Sequence, residues 1–260
     1  MELTSRDNPL VKQMRRLLTD ARERAKSGLF VTEGVRLCAD AALSGVPIEC
    51  VLYTQRAMEN YPEVGEICVK AARQICITPA LAAHIGDTVS PQGVFCLCKM
   101  LDKKASFDTI RYKGKYAALE DVQDPSNLGS IIRTAEALGA DGLLVTRGCC
   151  DRYNPKVLRG SMGGVFRLPI YPVDDLPAWI TEAQQNGMRC FACVVDADAD
   201  ALQRQTFGEG SVCIIGNEGN GLQPQTVHAC AARITIPMGG RAESLNAGTA
   251  AAIVLWEMFR

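Results

Sequence analysis

The C-terminal stretch IPMGGRAESLNAGTAAAIVLWEMFR, Ile236–Arg260, joins two unlike halves. Every residue from 250 to 256 is apolar, so a helix over Ala247–Phe259 would be hydrophobic on all sides and is expected to be buried. The half before it holds two glycines followed by charged, hydroxyl and amide side chains. Such groups cost free energy when they leave water without partners. This half is therefore either a helix N-cap, for which Ser and Asn are preferred, or a loop that binds a ligand.

Length and composition indicate a globular protein with a substantial core. The chain has 260 residues, of which 47% are hydrophobic and 22% charged, which suits one large or two medium domains. The net charge of −1 gives no global sign of nucleic-acid binding, so a local basic patch is needed for that function. The N-terminus MELTSRDNPLVKQ is polar and does not have the pattern of a signal peptide, and the longest apolar run is far shorter than the ~20 residues of a membrane helix. These features predict a cytoplasmic protein without a membrane segment.

Neither the cysteines nor the histidines form a pattern that indicates a metal site. Most of the 12 cysteines stand singly in apolar surroundings, where a thiol behaves as a small hydrophobic group. Cys190 and Cys193 have zinc-like spacing, but no second pair follows and they lie in an apparent strand, which directs them to opposite faces. Only two histidines are present. We therefore expect structural cysteines and no metal.

The order of apolar segments predicts two α/β domains. Asn8 and Pro9 have the character of an N-cap and first helical residue, and helices then alternate with apolar segments at 29–34, 48–54, 75–78 and 93–100. A charged stretch at 101–115 has the character of a linker. Beyond it, apolar segments and helices alternate regularly, which predicts a mostly parallel sheet covered by helices. The predicted domains are residues 1–100 and 116–260.

Three predicted strands in the second domain end in polar, glycine-rich loops. Ligands of open α/β sheets bind at the carboxyl ends of strands, so these loops are candidates for a binding site. The loop GNEGNG at 216–221 has the pattern G-x-x-G-x-G, which is neither the dinucleotide fingerprint nor a P-loop. A nucleotide-binding Rossmann or NTPase site is therefore disfavoured.

Taken in order, the three loops resemble the three motifs of the SpoU branch of the SPOUT RNA methyltransferases. The segments that carry the resemblance are EDVQDPSNLGSIIRTAEALGADGL, IIGNEGNGL and IPMGGRAESLNAGTAAAIVLWE. GSMGGVFRLPI, Gly160 to Ile170, is similar to the segment between the first and second motifs. The sequence SRDNPLVKQMRRL…FVTEGVRLCADA resembles the ribosomal-protein-like substrate-binding domain that often precedes them. The departures are small: Gly248 and Thr249 stand where the family often has Ser and Val.

The resemblance implies a fold, a cofactor and a set of site residues. The fold is α/β with a C-terminal trefoil knot, a dimer interface at the last helix, and a loop that wraps S-adenosylmethionine mainly through its main chain. By motif position, the residues implied for cofactor binding are Gly216, Ile236 and Leu245. The residues implied for catalysis and RNA contact are Asn127, Arg133, Glu218, Ser244 and Asn246.

The implied reaction is methylation of a ribose 2'-hydroxyl, with ribosomal RNA favoured over tRNA. Arginine is a poor base because of its high pKa, so Arg133 is either a base or an electrostatic clamp. Capping remains an alternative role for Asn127, Ser244 and Asn246. The alternatives for the whole chain are a tRNA 2'-O-methyltransferase, a base-modifying enzyme, or a non-catalytic RNA-binding or assembly protein.

A basic segment at residues 1–26 provides the local signal for RNA. It carries seven basic and four acidic side chains, a net charge of +3. A solvated helix face would give the same pattern. Together with the ribosomal-protein-like domain, the segment favours structured RNA. The seven basic residues are Arg6, Lys12, Arg15, Arg16, Arg22, Arg24 and Lys26.

Overall fold

The computed structural model describes residues 2–101 and 107–260. The chain divides into two compact units: residues up to 102 together with Asp151–Phe166, and residues 103–150 together with Arg167–Arg260. Each unit holds one sheet. Along the described chain, no helix is long and apolar enough to cross a membrane.

The first unit is built on a four-stranded mixed sheet. The strands are β1 (Leu29–Glu33), β2 (Ile48–Tyr53), β3 (Gln74–Cys76) and β4 (Val94–Lys99), in the order β1-β4-β2-β3. β4 runs antiparallel to β1 and β2, and β3 runs parallel to β2. The helices are α1 (Pro9–Thr19), α2 (Ala21–Ser27), α3 (Val35–Leu43), α4 (Gln55–Asn60), α5 (Pro62–Lys70) and α6 (Pro79–Ile85). The predicted strands of this region are confirmed.

The residues of helix α1 determine where this helix begins and which of its faces packs into the first unit. Asn8 is the N-cap, as predicted: its side-chain oxygen accepts the backbone N–H of Leu10 at 2.9 Å, which satisfies a donor that the first turn leaves free. Pro9 is the first helical residue. The buried face packs into the core of this unit and consists of Val11, Met14, Leu17 and Leu18.

One residue of the basic segment does not face solvent. Arg24 is only 2% exposed; its guanidinium donates to Asp151 at 2.6 Å and to the backbone oxygen of Leu17 at 2.6 Å. The expectation that Arg24 belongs to an RNA-facing surface is therefore wrong, because both bonds hold the side chain inside the unit. Exposed basic residues without an ion pair among the described side chains are Arg6, Arg16, Arg22 and Lys26.

The second unit begins with β5 (Tyr116–Leu119), α7 (Pro125–Ala137) and β6 (Gly142–Thr146). The chain then forms α8 (Pro155–Ser161), which clusters with the first unit, and the short α9 (Gly164–Arg167). It continues in the second unit with β7 (Ile170–Val173), α10 (Leu176–Gln185), β8 (Arg189–Cys193), β9 (Asp200–Ala201), β10 (Ser211–Ile215), α11 (Pro224–Ala229), β11 (Ala232–Thr235) and α12 (Ala247–Phe259).

These seven strands form one sheet in the order β7-β6-β5-β10-β8-β11-β9. Every pair in the ladder is parallel, so the prediction of a mostly parallel α/β sheet is confirmed. β5 and β10 are neighbours at its centre, which places the loops that follow them side by side. The trefoil knot stays a prediction.

The predicted linker, residues 101–115, lies partly outside the described residues, at 102–106. Its later part belongs to the second unit, where Phe107–Thr109 form a single 3-10 turn. Ile110, only 7% exposed, joins the core of that unit.

The C-terminal helix α12 has the predicted bounds, Ala247–Phe259, but not the predicted burial on all sides. One face packs against α7 and β10, with Ala251, Val254 and Leu255 buried. On the other face, Ile253 is 38% and Trp256 60% exposed. Within a single chain the expectation of complete burial is therefore wrong, because this chain covers only one side of the helix.

The cysteines have the environment of structural residues. Cys190 lies in the core of the second unit, and burial raises the pKa of its thiol to about 12. On the other face of the sheet, the Cys213 sulfur lies 3.6 Å from the sulfur of Met258 in α12. In the part of the chain that the structure describes, no three His, Cys, Asp or Glu side chains are grouped so that they could hold a metal ion.

Candidate active site

Three loops at the carboxyl ends of strands supply the predicted site residues. The first loop (residues 120–127) follows β5 and enters α7, the second loop (216–223) follows β10, and the third loop (236–246) follows β11 and enters α12. β5 and β10 pair directly, with Leu119 opposite Ile215. The sheet therefore brings the first and second loops together, and the packing of α12 on α7 brings the end of the third loop to them.

A chain of hydrogen bonds links all three loops. The Asn246 amide donates to the side-chain oxygen of Asn127 at 2.8 Å, and the Asn127 amide donates to the Glu218 carboxylate at 2.9 Å. The side-chain oxygen of Asn246 accepts the backbone N–H of Thr249 at 3.2 Å. Three of the five residues that the sequence analysis implied for catalysis are thus in direct contact.

The Glu218 carboxylate is occupied in holding the first loop. Besides Asn127, it accepts the backbone N–H groups of Gln123 at 3.1 Å and Asp124 at 3.0 Å. Partial burial raises the pKa of Glu218, but the bonds from Asn127 and from the backbone outweigh that effect and hold the pKa below its ordinary value of 4.5. Glu218 is therefore a charged acceptor of three hydrogen bonds at neutral pH.

The structure shows which of Asn127 and Asn246 is a helix N-cap. The cap of α7 is Asp124, whose carboxylate accepts the N–H groups of Ser126 and Asn127 at 2.6 and 3.3 Å. The reading of Asn127 as a helix cap is therefore wrong, and its buried amide is used between loops instead. Asn246 is the N-cap of α12 and also bonds to Asn127, so its capping role and its place in the network coexist.

Arg133 and Ser244 stand outside this network. Arg133 is exposed on α7, six residues after Asn127, and makes neither a hydrogen bond nor an ion pair with any described residue. Ser244 is exposed in the third loop and likewise has no partner among residues that the structure describes. Both side chains are thus available to a ligand.

The three residues implied for cofactor binding differ in their surroundings. Ile236 is half-buried and Leu245 is 37% exposed. Gly216 is confined by its own loop: an added Cβ would lie 2.3 Å from the carbonyl carbon of Gly221 and 2.5 Å from the nitrogen of Leu222. The glycine is therefore required for loop closure, whatever binds beside it.

The third loop fits a ligand that is held by main-chain groups. From 238 to 245 it makes no hydrogen bond with the described part of the chain and is exposed throughout. Cβ atoms added at Gly239 and Gly240 would meet nothing within 4 Å. Backbone N–H groups need partners from protein, water or ligand, so this loop offers free donors beside the three-loop network.

Sequence reasoning missed several residues that tie the first and second loops together. Asn217 donates to the backbone oxygen of Asp121 at 2.8 Å. Asp121 has a left-handed backbone, with φ of 56°, a conformation that non-glycine residues adopt rarely. Glu120 is buried and bonds to Gln223 and Thr226. Glu120, Asp121 and Asn217 lie inside the motif segments EDVQDPSNLGSIIRTAEALGADGL and IIGNEGNGL, but no individual role for them could be inferred from the sequence.

The fold and the loops together define a class: an α/β protein with a fully parallel sheet and a polar three-loop site at its carboxyl edge. Residues 115–256 match the SpoU rRNA Methylase family, and residues 8–96 match the MRM3-like substrate binding domain. The chain belongs to the SpoU rRNA methylase family, as the sequence predicted.

Relatives of this chain align over nearly its whole length. The 23S rRNA (guanosine(2553)-2'-O)-methyltransferase RlmP of Bacillus subtilis is 30% identical over 258 residues, which cover 99% of this chain and 98% of that protein. The 23S rRNA (uridine(2479)-2'-O)-methyltransferase of Streptomyces viridochromogenes is 31% identical, over 99% and 91% of the two chains.

A solved structure has the same architecture. The SpoU methyltransferase AviRb from Streptomyces viridochromogenes, in complex with the cofactor AdoMet, superposes with a TM-score of 0.84 and 30% identity, over 97% of each chain. The predicted fold class is thus confirmed by structure as well as by sequence.

Proposed function

We propose that the protein is an S-adenosylmethionine-dependent methyltransferase that modifies a ribose 2'-hydroxyl of ribosomal RNA. The observation that carries the proposal is the Asn246–Asn127–Glu218 chain, which joins all three motifs of the SpoU family at one edge of the sheet. The named 23S rRNA methyltransferases that align over nearly the full length support both the reaction and the RNA class.

The cofactor site comprises Gly216, Ile236 and Leu245 with the free main-chain donors of the third loop. S-adenosylmethionine supplies an electrophilic methyl group on its sulfonium sulfur. The chain's contribution is to hold this donor and the acceptor oxygen in line, because correct alignment removes much of the entropic barrier. The second loop closes tightly on itself beside this site, because Gly216 carries no side chain that would separate it from Gly221 and Leu222.

Arg133 is the catalytic cation in this proposal. Its guanidinium is exposed and makes no ion pair with the described part of the chain, so its charge is free to stabilise a developing alkoxide or to bind the adjacent phosphate. Ser244 is the available hydroxyl of the third loop. Glu218, Asn127 and Asn246 act together to position the loops, because their polar atoms bond to one another.

The substrate RNA is bound by the first unit. A basic surface is formed there by Arg15, whose guanidinium lies 3.1 Å from the His84 ring, and by the exposed basic residues of α1 and α2. Burial, followed by the positive charges of Arg15 and Arg6, lowers the pKa of His84, and the positive charge of this surface comes from its exposed arginine and lysine side chains. Phosphate groups are its natural ligands.

The active form is a homodimer that works in the cytoplasm. The exposed Ile253 and Trp256 on α12 support the dimer, because an isologous contact would cover this apolar face. Ribosomal RNA as the substrate supports the cytoplasmic location. The deep trefoil knot belongs to the same proposal.

The test combines cofactor binding with product analysis. Calorimetry should detect S-adenosylmethionine binding, and absence of heat at high cofactor concentration would favour the non-catalytic RNA-binding alternative. Ribosomal RNA and tRNA from a deletion strain are then incubated with the enzyme and digested to nucleosides for mass spectrometry. A 2'-O-methylated nucleoside from ribosomal RNA is expected. A methylated base would overturn the ribose assignment, and methylation of tRNA alone would overturn the RNA class.

A further inference from the structure

The Glu120 carboxylate is buried at the end of β5, in a position that the proposed mechanism does not use. The residue is 5% exposed. One carboxylate oxygen accepts the backbone N–H of Gln223 at 2.7 Å, and the other accepts the hydroxyl of Thr226 at 2.5 Å. Thr226 itself is completely buried.

Glu120 holds the second loop at both of its ends. Its backbone N–H donates to the carbonyl oxygen of Ile215 at 2.9 Å, directly before Gly216. Its carboxylate bonds to Gln223, the last residue of the loop, and to Thr226 in α11. A movement at either end of the second loop would therefore break a hydrogen bond to Glu120.

The placement of this carboxylate is costly, which makes a role in positioning reasonable. Burying an anion is unfavourable unless hydrogen bonds compensate for lost water. The N-cap residue of α11, Gln223, makes no side-chain capping bond, and Glu120 instead binds the backbone N–H of Gln223 and the hydroxyl of Thr226, which ties the start of this helix to β5. A surface cap would satisfy the helix but would not tie it to β5.

We propose that Glu120 is a positioning residue for the cofactor, which acts by fixing the second loop through Gln223 and Thr226. This inference rests on the proposed function, in which that loop contacts S-adenosylmethionine. The Glu218 contacts hold the middle of the same loop to the first loop, so Glu120 and Glu218 fix different parts of it.

Two variants each remove one bond while leaving Glu120 in place. Thr226→Val keeps the side-chain shape and removes the hydroxyl. Gln223→Pro removes the N–H donor, and φ at this position is already −63°, which suits proline. We expect S-adenosylmethionine to bind about tenfold more weakly to each variant, measured by calorimetry well below the melting temperature. RNA affinity should be unchanged, and Thr226→Ser, which keeps the hydroxyl, should restore binding.

A matched control separates positioning from general stability. Ser211 is 1% exposed, and its hydroxyl donates to the backbone oxygen of Gly208 at 2.9 Å, at the opposite end of β10. Ser211→Ala should lower the melting temperature without changing cofactor affinity. Wild-type cofactor affinity in both the Thr226 and Gln223 variants would overturn the role of Glu120, as would an equal loss in Ser211→Ala. Absence of binding by the wild-type protein would instead overturn the proposed function.

Discussion

Gly216 is tightly constrained by its own loop. An added Cβ would lie 2.3 Å from the Gly221 carbonyl carbon, a distance that forces backbone to move. Gly219, in the same loop, has only the Asn217 side-chain oxygen nearby, at 3.6 Å. The two glycines therefore form a matched pair, one intolerant of a side chain and one tolerant.

We expect Gly216→Ala to weaken S-adenosylmethionine binding about tenfold or more and to lower the melting temperature, because the second loop must open to make room for the alanine side chain. Gly219→Ala should bind the cofactor as the wild-type protein does. Calorimetry and thermal unfolding measure the two effects. Equal affinity in the two variants would show that closure of the second loop does not control the cofactor site.

Glu218 predicts a pH dependence with a definite sign. In the folded protein, the hydrogen bonds of Glu218 hold the pKa of its carboxyl group below the ordinary value of 4.5. The contribution of Glu218 to stability is therefore complete above pH 4.5. This contribution is lost as pH falls below 4.5 and through the pKa that Glu218 has in the folded protein, because the carboxylate is then protonated. Glu218→Gln cannot make this contribution at any pH.

The measurement is the difference in melting temperature between the wild-type protein and Glu218→Gln as a function of pH. We expect the wild-type protein to be more stable near neutral pH and the difference to shrink as pH falls below the ordinary glutamate value. The exposed Glu209, which has only a distant 3.8 Å contact with Lys113, provides the control substitution Glu209→Gln. A difference that stays constant with pH would contradict the charged role of Glu218.

The bounds of individual helices and strands are what the sequence predicts well. Helix α12 was predicted at its observed bounds because an apolar run after an Asn cap is a local signal. The strands of the second unit were predicted from their apolar runs. The two-residue β9, too short to carry a pattern, was missed, and the strand predicted over FRLPIYP, residues 166–172, begins only at Ile170, because Gly164–Arg167 form a helical turn. Burial of α12 was overestimated, because a single chain's coverage of a helix depends on packing that local sequence does not encode.

The exposed face of α12 carries a prediction about association. A glutamate in place of Trp256, which is 60% exposed in the single chain, would be buried and unpaired at a two-fold contact. We expect Trp256→Glu to be monomeric in analytical ultracentrifugation and to lose most methyl transfer. Val195 in the same unit is 72% exposed, and Val195→Glu should stay dimeric. A dimeric, active Trp256→Glu protein would exclude this helix as the interface.

At the scale of the whole molecule, the contacts that local sequence does not encode join residues far apart in the chain. Asn127 and Glu218 were implied separately by motif position, yet the bond between them joins residues 91 apart. Arg24 was counted as a surface charge because its partner, Asp151, lies 127 residues away. Glu120 is the first residue of the motif segment EDVQDPSNLGSIIRTAEALGADGL, but no role could be inferred for it from the sequence, since its partners depend on which strands become neighbours.

The first unit carries the prediction about RNA. Arg16 is exposed on α1 without an ion pair inside the described chain, so Arg16→Gln should weaken binding of ribosomal RNA and make the salt dependence shallower by about one phosphate contact. Arg56 on α4 is equally exposed and lies outside the basic segment, so Arg56→Gln serves as the control. Binding titrations at several salt concentrations measure both slopes. Identical slopes in the two variants would argue against α1 as the RNA surface.

In a dimer, the residues of one site can come from one subunit or from both. Asn127 and Asn246 are 2.8 Å apart within one chain, so they must serve the same site. Arg133 is exposed and has no bond to them or to any other described residue. We therefore expect Arg133 to act in the site of the partner subunit, where the guanidinium reaches the cofactor bound by the other chain.

Mixed dimers test this arrangement. Arg133→Ala and Asn246→Ala homodimers should each be nearly inactive, but after subunit exchange each heterodimer holds one intact site, and activity should recover to about a quarter of wild type for random, independent sites. Asn127→Ala mixed with Asn246→Ala should not recover, because the two residues bond within one chain and no heterodimer then holds an intact pair. With exchange verified by tagged subunits, no recovery in the first mixture would place Arg133 in its own subunit's site. Recovery in the second mixture would mean that the bond between Asn127 and Asn246 is not required for methyl transfer.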